Sequence, residues 1–453
     1  MPYGAFPAHD VIVDHGAKGD SHYSTGGGTD DTAAFQAAYN EAISSSGCGI
    51  VAIPGNHTYR ITSQLNVPRG VTTIGTGGRD GQSNDTPATI VWDGSSGTNV
   101  FSIITANASI FTTNFVNFMV TGKSAGARPT HAFYFAGSSG GAAKLDSGTY
   151  FKDMWVFLID GDGIYLGNSG ATNFWLSGGR FDSIYGGYAI KADLSGSGKS
   201  VIMQMDHVTY QGGTAGQGNG FLFMDGEAAT SIGQSWININ GLHSEINQTL
   251  NQTFAAGTNP FDKRGIVRLG VSSSLTQMQH WLNVNGWTNS NPGGLDSYAS
   301  VQITAAAGTT ADASDCVGFN IDLCSGLSNL NVSDTAATDE VRVVGGMVPA
   351  TRAYPWAGNY RTGRISWGQG KDATGEGFRS YSHTRHGADV HRGLTLQTET
   401  VGALDAFPPN GGAFAYVTDA ASTTVVGSII SSGGSVKAVA FYNGSNWLAI
   451  AIA

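Results

Sequence analysis

Three cysteines in 453 residues exclude a disulfide-built framework; Cys48, Cys316 and Cys324 read as ordinary buried thiols, a Cys316–Cys324 pair being the alternative. No run approaches the ~18 apolar residues of a membrane-spanning helix. The opening "MPYGAFPAHDVIVDHG" lacks the basic start and apolar run of a secretory leader. Charge is also scarce: Asp, Glu, Lys and Arg make up 12% of the chain, and the formal net charge is −10. A chain this acidic is a poor partner for nucleic acid or an anionic membrane, which reward clustered Lys and Arg. It also disfavours a highly anionic polymer as substrate. Helical periodicity is confined to one short segment near the start, and a propeller or a sandwich, the rival all-β readings, predicts no such entry helix.

What is abundant is glycine, 66 residues, set among 40% hydrophobic residues. That combination predicts many short strands joined by tight corners rather than disorder. One segment is the exception. In "HGAKGDSHYSTGGGTDDTAAFQAAYNEA", Phe35, Ala38, Tyr39, Ala42 and Ile43 share one helical face. Asp30 and Asp31 stand where carboxylates accept from free backbone N–H groups at a helix start. "GIVAIP", a turn at Pro54-Gly55, "TYRI" and "GVTTIGTGG" follow as strands. One capped helix followed only by strands predicts a plug over the open end of a stacked β structure, covering its core and unpaired edge.

These residues carry a resemblance. "DHGAKGD…TDDTAAFQAAYNEA…GIVAIPGNHTYRI" resembles the opening of the pectate-lyase-like superfamily of right-handed parallel β-helices, with "SHYSTGGG" lengthening the loop between the two acidic clusters. The resemblance implies the fold and leaves the chemistry open, since the superfamily spans lyases, hydrolases, transferases, phage tailspikes and adhesins. Asp20, Asp30 and Asp31 belong to its structural signature.

From about residue 100 the text repeats loosely. "YFKDMWVFLIDGDGIYLGN", "NFWLSGGRFDSIYGGYAIKAD", "VIMQMDHVTYQGG", "SWININGLHSEINQ" and "HWLNVNGWTNSN" share an alternating strand, a Gly or Asn corner and a second apolar run. A spacing of roughly 25 residues is that of a solenoid. The expected architecture is all-β: a right-handed single-stranded parallel β-helix with an N-terminal capping helix and a small C-terminal β module. The expected division is 1–95 cap and first coils, 96–348 central β-helix with a glycan-binding groove, 349–405 an Arg/Tyr/Trp-rich connection, and 406–453 a β module. That last part resembles the module ending many phage tail proteins. Its apolar residues, Val425, Val426, Ile429, Ile430, Leu448, Ile450 and Ile452, point to a homotrimer.

A solenoid stacks equivalent positions about 4.8 Å apart, so acids recurring at one place in successive coils form a row. Carboxylates on adjacent coils lie about 5 Å apart, the ~5–5.5 Å of retaining glycosidases. Those two coils apart lie nearly 10 Å apart, close to the ~6.5–9.5 Å that inverting glycosidases use around a water, so the face can supply either spacing. Asp160, Asp162, Asp182, Asp206 and Glu245 recur in or beside one strip. Asp182 with Glu245 is the expected acid–base pair, with Asp160 or Asp162 as substitute partner. His207, His243, Arg180, Trp155 and Trp236 are the expected substrate contacts, since indole faces stack on sugar rings. Asp225 and Glu227 read as a solvated turn, and His383, His386 and His391 as loop or subunit-contact residues. No metal or cofactor is expected. The expected activity is hydrolysis of a bacterial surface or extracellular polysaccharide by a tailspike-like protein, extracellular or virion-associated. A lyase of the same fold, with His207 and Arg180 as its pair, and a non-catalytic glycan-binding fibre are the alternatives.

Overall fold

A computed structural model describes residues 8–44, 49–77, 87–103, 112–135, 148–167, 173–194, 201–212, 220–227, 235–246, 265–272 and 279–289, and further strands between 299 and 452. The chain is a right-handed parallel β-helix with three strands per coil. Its first face runs through Gly49–Ile53, Val71–Gly75, Thr112–Val116, Gly148–Lys152 and Asn173–Ser177. It continues through 202–206, 235–240 and 280–285. The second face contains Thr58–Ile61, Thr89–Trp92, Met119–Thr121, Trp155–Ile159 and Arg180–Ile184, then 208–212 and 242–246. The third is a separate nine-stranded sheet from Leu65–Val67 to Val332–Asp334.

Alternation along each strand sends one set of side chains inward. Val51, Thr73, Phe115, Phe151, Leu176, Met205, Ile239 and Val284 form one such column by register. All are buried. Aromatic rings stack within the core, Phe101 on Phe133 at 5.1 Å and Phe115 on Phe151 at 5.1 Å. Each fully buried apolar side chain of this size contributes about 1.5–3 kcal/mol.

The helix Thr32–Ser44 covers the first coil, burying Phe35, Ala38, Tyr39 and Ala42 as the spacing predicts. Ile43 is only half-buried. Tyr39 shares a buried hydrogen bond with Thr73 at 2.9 Å, tying cap to core. Asp30 Oδ1 accepts from the Thr32 N–H at 3.1 Å. The Asp31 carboxylate instead reaches back to the N–H groups of Lys18 (2.6 Å) and Gly19 (3.1 Å), and burial raises its pKa. Asp20 accepts from Thr29. The acidic signature is thus consumed by backbone N–H groups and threonine hydroxyls of the cap and first coils.

Between the first and second faces the chain leaves the strand through a residue at positive φ, followed in one coil by a second, Gly179 (121°). Asn117 (58°), Asp153 (53°), Gly178 (66°), His207 (54°), Gly241 (71°) and Gly286 (73°) occupy this corner. Strand register stacks them above one another. A Cβ on Gly178 would strike the Asp153 carboxylate below it.

Parallel pairing on the first face continues past Pro349 to Arg364–Trp367. A four-stranded sheet of Thr398–Glu399, Phe414–Ala420, Val436–Tyr442 and Trp447–Ile452 then closes the chain, mainly antiparallel. It has its own core, which includes Val417, Ile430, Ala438 and Trp447. Among the described residues no helix is long and apolar enough to cross a membrane.

Candidate active site

The second face brings acids from distant parts of the chain into one row. Asp182 pairs in register with Gln211, and Gln211 with Glu245. Phe157 precedes Asp182 in this row, and Thr121 precedes Phe157. Two residues nearer the corner, on the same side of the strands, lies a parallel row of Trp155, Arg180, Thr209, His243 and Thr288. Two coils separate Asp182 from Glu245, so their backbone positions stand about 9.6 Å apart. Both acids are half-buried.

The Asp182 carboxylate is held from two sides. Its Oδ2 accepts from Arg180 Nη2 at 3.3 Å, and its Oδ1 from the Ser183 hydroxyl at 2.8 Å. Arg180 also donates to Gln211 Oε1, so the guanidinium links two coils of the row. Ser183 has a φ of 55°, which places its side chain off the regular strand direction and beside its neighbour. His243 Nδ1 shares a hydrogen bond with the Thr288 hydroxyl at 2.9 Å, which orients the imidazole within the second row.

Asp206 falls on the first face, one residue before the corner. It stands in register with Asn240, and Asn240 with Asn285. Its Oδ1 accepts from Asn240 Nδ2 at 2.7 Å and Gln204 Nε2 at 3.1 Å. Asn285 continues the ladder by donating to Asn240 at 2.9 Å. Beside this ladder, Trp175 and Trp236 are 37% and 45% exposed, large indole surfaces open to a ligand. Trp281 lies against Trp236, with ring centroids 6.2 Å apart. Trp287 is fully buried and donates to Ser244 at 3.0 Å, so it belongs to the core. His207 is the corner residue itself and points into solvent.

Asp160 and Asp162 lie at the other corner, between the second and third faces, and do not join the Asp182–Glu245 row. Asp160 is exposed and pairs with Arg128 at 3.5 Å; the guanidinium carbon of Arg128 sits 3.8 Å from the centre of the Tyr185 ring. Asp162 is buried, accepts from the Tyr188 N–H at 2.8 Å and lies 3.6 Å from His131 Nδ1. Burial pushes the Asp162 carboxyl up to about 6 and His131 down to about 4. His386 and His391 lie outside the described residues, and for His383 only its strand, Tyr381–Thr384, is described.

The third face holds a row that the sequence reading missed. Tyr134, Tyr165, Lys191, Phe223 and Arg268 follow one another coil by coil. Tyr134 stacks on Tyr165 at 5.4 Å, and Phe223 lies between two cations, Lys191 at 5.1 Å and Arg268 at 4.3 Å. Each cation has a carboxylate: Lys191 pairs with Asp225 at 3.0 Å, and Arg268 with Glu227 at 2.6 Å. Asp225 and Glu227 are ion-pair partners here rather than parts of a free turn. Tyr165 donates to Asp193 at 3.0 Å, and burial raises its phenol well above the ordinary range. The signal was present in "FYF", "IYL", "IKA", "LFM" and "VRL", where one aromatic or cation stands between apolar residues in each coil. Among the described residues no group of three metal-ligating side chains converges on the second-face rows.

No family model matches the chain, and no curated protein matches it. Solved structures do. ORF18 of Geobacillus virus E2 is similar at 14% identity over 98% of this chain and 76% of its own, with a TM-score of 0.47. The A-module of the mannuronan C-5 epimerase AlgE4 of Azotobacter vinelandii is 13% identical over 80% of this chain and 91% of its own, with a TM-score of 0.33. DFA-IIIase of Arthrobacter chlorophenolicus A6 is 9% identical over 81% of this chain and 83% of its own, with a TM-score of 0.30. The β-helix itself is carried by the strand register: three parallel columns, read residue by residue from the cap to the last coils.

Proposed function

We propose that the protein is a glycan depolymerase, tailspike-like and extracellular or virion-associated, that hydrolyses glycosidic bonds in a bacterial surface or extracellular polysaccharide. The observation that carries this reading is the Asp182–Gln211–Glu245 row. Its ends stand two coils apart, close to the separation that leaves room for a water between acid and base. Asp182, oriented by Arg180 and Ser183, takes a proton from that water as it attacks the anomeric carbon. Glu245 donates its proton to the leaving oxygen as the glycosidic C–O bond breaks. His243, Trp155 and Arg180 border the pair on the adjacent row, and Trp175 and Trp236 offer indole faces for sugar rings across the corner. Asp206 serves as a ligand contact on that first face. Gln211, between the two acids, contributes a neutral amide that keeps the carboxylates from repelling at one-coil distance.

The test is incubation of the full chain with a panel of bacterial capsular and extracellular polysaccharides. Hydrolysis releases reducing ends without the ultraviolet absorbance of an unsaturated uronate. Retention of a glycan with no cleavage would leave a binding fibre.

One observation favours elimination as a second reading. Lys191 and Arg268 stand in one row with Tyr165, and cations are what a lyase needs to neutralise a uronate carboxylate. It ranks lower because both cations already have carboxylate partners. Growth of unsaturated product would favour it.

Homotrimer formation through the C-terminal sheet belongs to the same proposal. Val426, Ile429 and Ile450 are exposed there, an apolar surface that a second copy would cover. Light scattering should give three times the chain mass, and a Val426→Asp, Ile429→Asp double variant should be monomeric.

A further inference from the structure

We infer that His9, His15 and Glu41 form a binding site for a borderline divalent transition cation, zinc being the type case, in the N-terminal cap. The three residues come from three pieces of the cap. His9 lies on the strand Ala8–Asp10, His15 in the turn after it, and Glu41 near the end of the helix Thr32–Ser44. Their ligand atoms all lie within 4.8 Å of one another.

The spacing argues for a cation rather than for ordinary pairing. Glu41 Oε2 is 3.9 Å from His9 Nδ1 and 3.7 Å from His15 Nε2. Both distances are too long for hydrogen bonds, so the groups surround a space instead of satisfying one another. Around a tetrahedral zinc with bonds of about 2.0–2.1 Å, ligand atoms stand about 3.3–3.4 Å apart. Closing the two Glu41 edges by roughly half an ångström, and drawing the two imidazole nitrogens together from within 4.8 Å, would complete three vertices of that polyhedron. Two imidazoles and a carboxylate are a donor set of the borderline kind that zinc takes.

Burial supplies a second, independent observation. The His9 and His15 side chains are only 9% and 7% exposed, and the Nε2 of each is buried without a hydrogen-bond partner. The His15 Nε2 is the atom turned toward Glu41. A buried ring nitrogen left unpaired is costly, and a bound cation would give that of His15 its partner. Glu41, with 59% of its side chain exposed, leaves a solvent side for the cation to arrive and for water to fill the fourth position. The cation would join the helix to the first strand and its turn, so metal binding and closure of the cap become linked. It is a structural clamp, separate from the carboxylate row.

The experiment strips the full-length protein with a chelator and dialyses it against zinc, measuring bound metal by atomic emission. Cobalt is substituted in parallel, because tetrahedral coordination gives it a visible d–d spectrum. The wild type should retain one more equivalent than Glu41→Gln or His15→Gln, show the tetrahedral cobalt band, and melt several degrees higher with zinc. His207→Gln, which changes a distant histidine, should keep that equivalent. Glu41 is exposed, so its variant tests the site without disturbing the core; circular dichroism of the metal-free protein checks this. Equal metal content in wild type and both variants, or no zinc retained by the wild type, overturns the inference.

Discussion

The second and third faces of the β-helix use charge in opposite ways. On the third face each cation is enclosed, with Lys191 and Arg268 flanking the Phe223 ring and each pairing with an acid of its own. On the second face one guanidinium, that of Arg180, serves Asp182 and Gln211 together, and Glu245 stands two coils from the acid it would work with. Stacking alone therefore does not make a site. The same 4.8 Å repeat builds a closed ladder where charges alternate with aromatic rings, and on the second face a row in which a neutral residue separates two carboxylates.

The largest expected effect breaks that comparison most easily. Asp182→Asn and Glu245→Gln should each lower turnover on a cleaved polysaccharide by about 100-fold or more while binding persists. Lys191→Met should leave turnover within a few-fold. The reverse result would move the chemistry to the third face. Next in size is Phe223→Ala, which empties the space between the two cations. It should cost about 3–5 kcal/mol in denaturant unfolding with little change in turnover per folded molecule.

Asp162, at the edge of the third face, sharpens the contrast through pH. Its carboxyl is held at about 6, against an ordinary 3.8, because burial favours the neutral form. Its favourable contribution is full below the unfolded pKa and is lost as pH rises through 6. At neutral pH the fold therefore carries a buried charge costing about 3 kcal/mol, and neighbouring His131, held neutral by burial, does not offset it. Asp162→Asn keeps an acceptor for the Tyr188 N–H. Its stability relative to wild type should be greater at pH 7 than at pH 4, read from urea midpoints. An equal difference at both pH values would show that Asp162 is not a strained buried acid.

The smallest effect concerns the corner. His207→Gly places the residue best suited to positive φ where Gly241 and Gly286 already serve. It should gain up to about 1 kcal/mol and leave turnover unchanged. A loss of turnover would return His207 to the groove.

Much of the fold was legible because periodicity survives without strict repetition. Phe35, Ala38, Tyr39 and Ala42 announce the helix, and alternating apolar residues announce the strands. The Asp182–Glu245 register was legible as well, since each acid sits at one offset from its corner. What sequence could not show was a corner entered through a positive-φ residue whose identity changes from coil to coil. Glycine at 178, 241 and 286 signals it, whereas Asp153 and His207 hide it. One residue decides the face, so Asp206, just before that corner, leaves the row that contains Asp182. The third face was illegible for another reason. Its strands read as apolar runs, and the lone Lys191 or Arg268 in each gives no hint that coils above and below supply the ring and the acid. The cap histidines were hidden likewise, their meaning depending on Glu41 at the far end of a helix.

The central claim is that two carboxylates, two coils apart, act across one water. The measurement that tests it most directly is the proton NMR spectrum of oligosaccharide in the first moments after cleavage, before mutarotation. Carboxylates carried two coils apart, rather than on adjacent coils, predict inversion at the anomeric carbon. A product formed with retained configuration, or an unsaturated uronate in its place, would contradict the account.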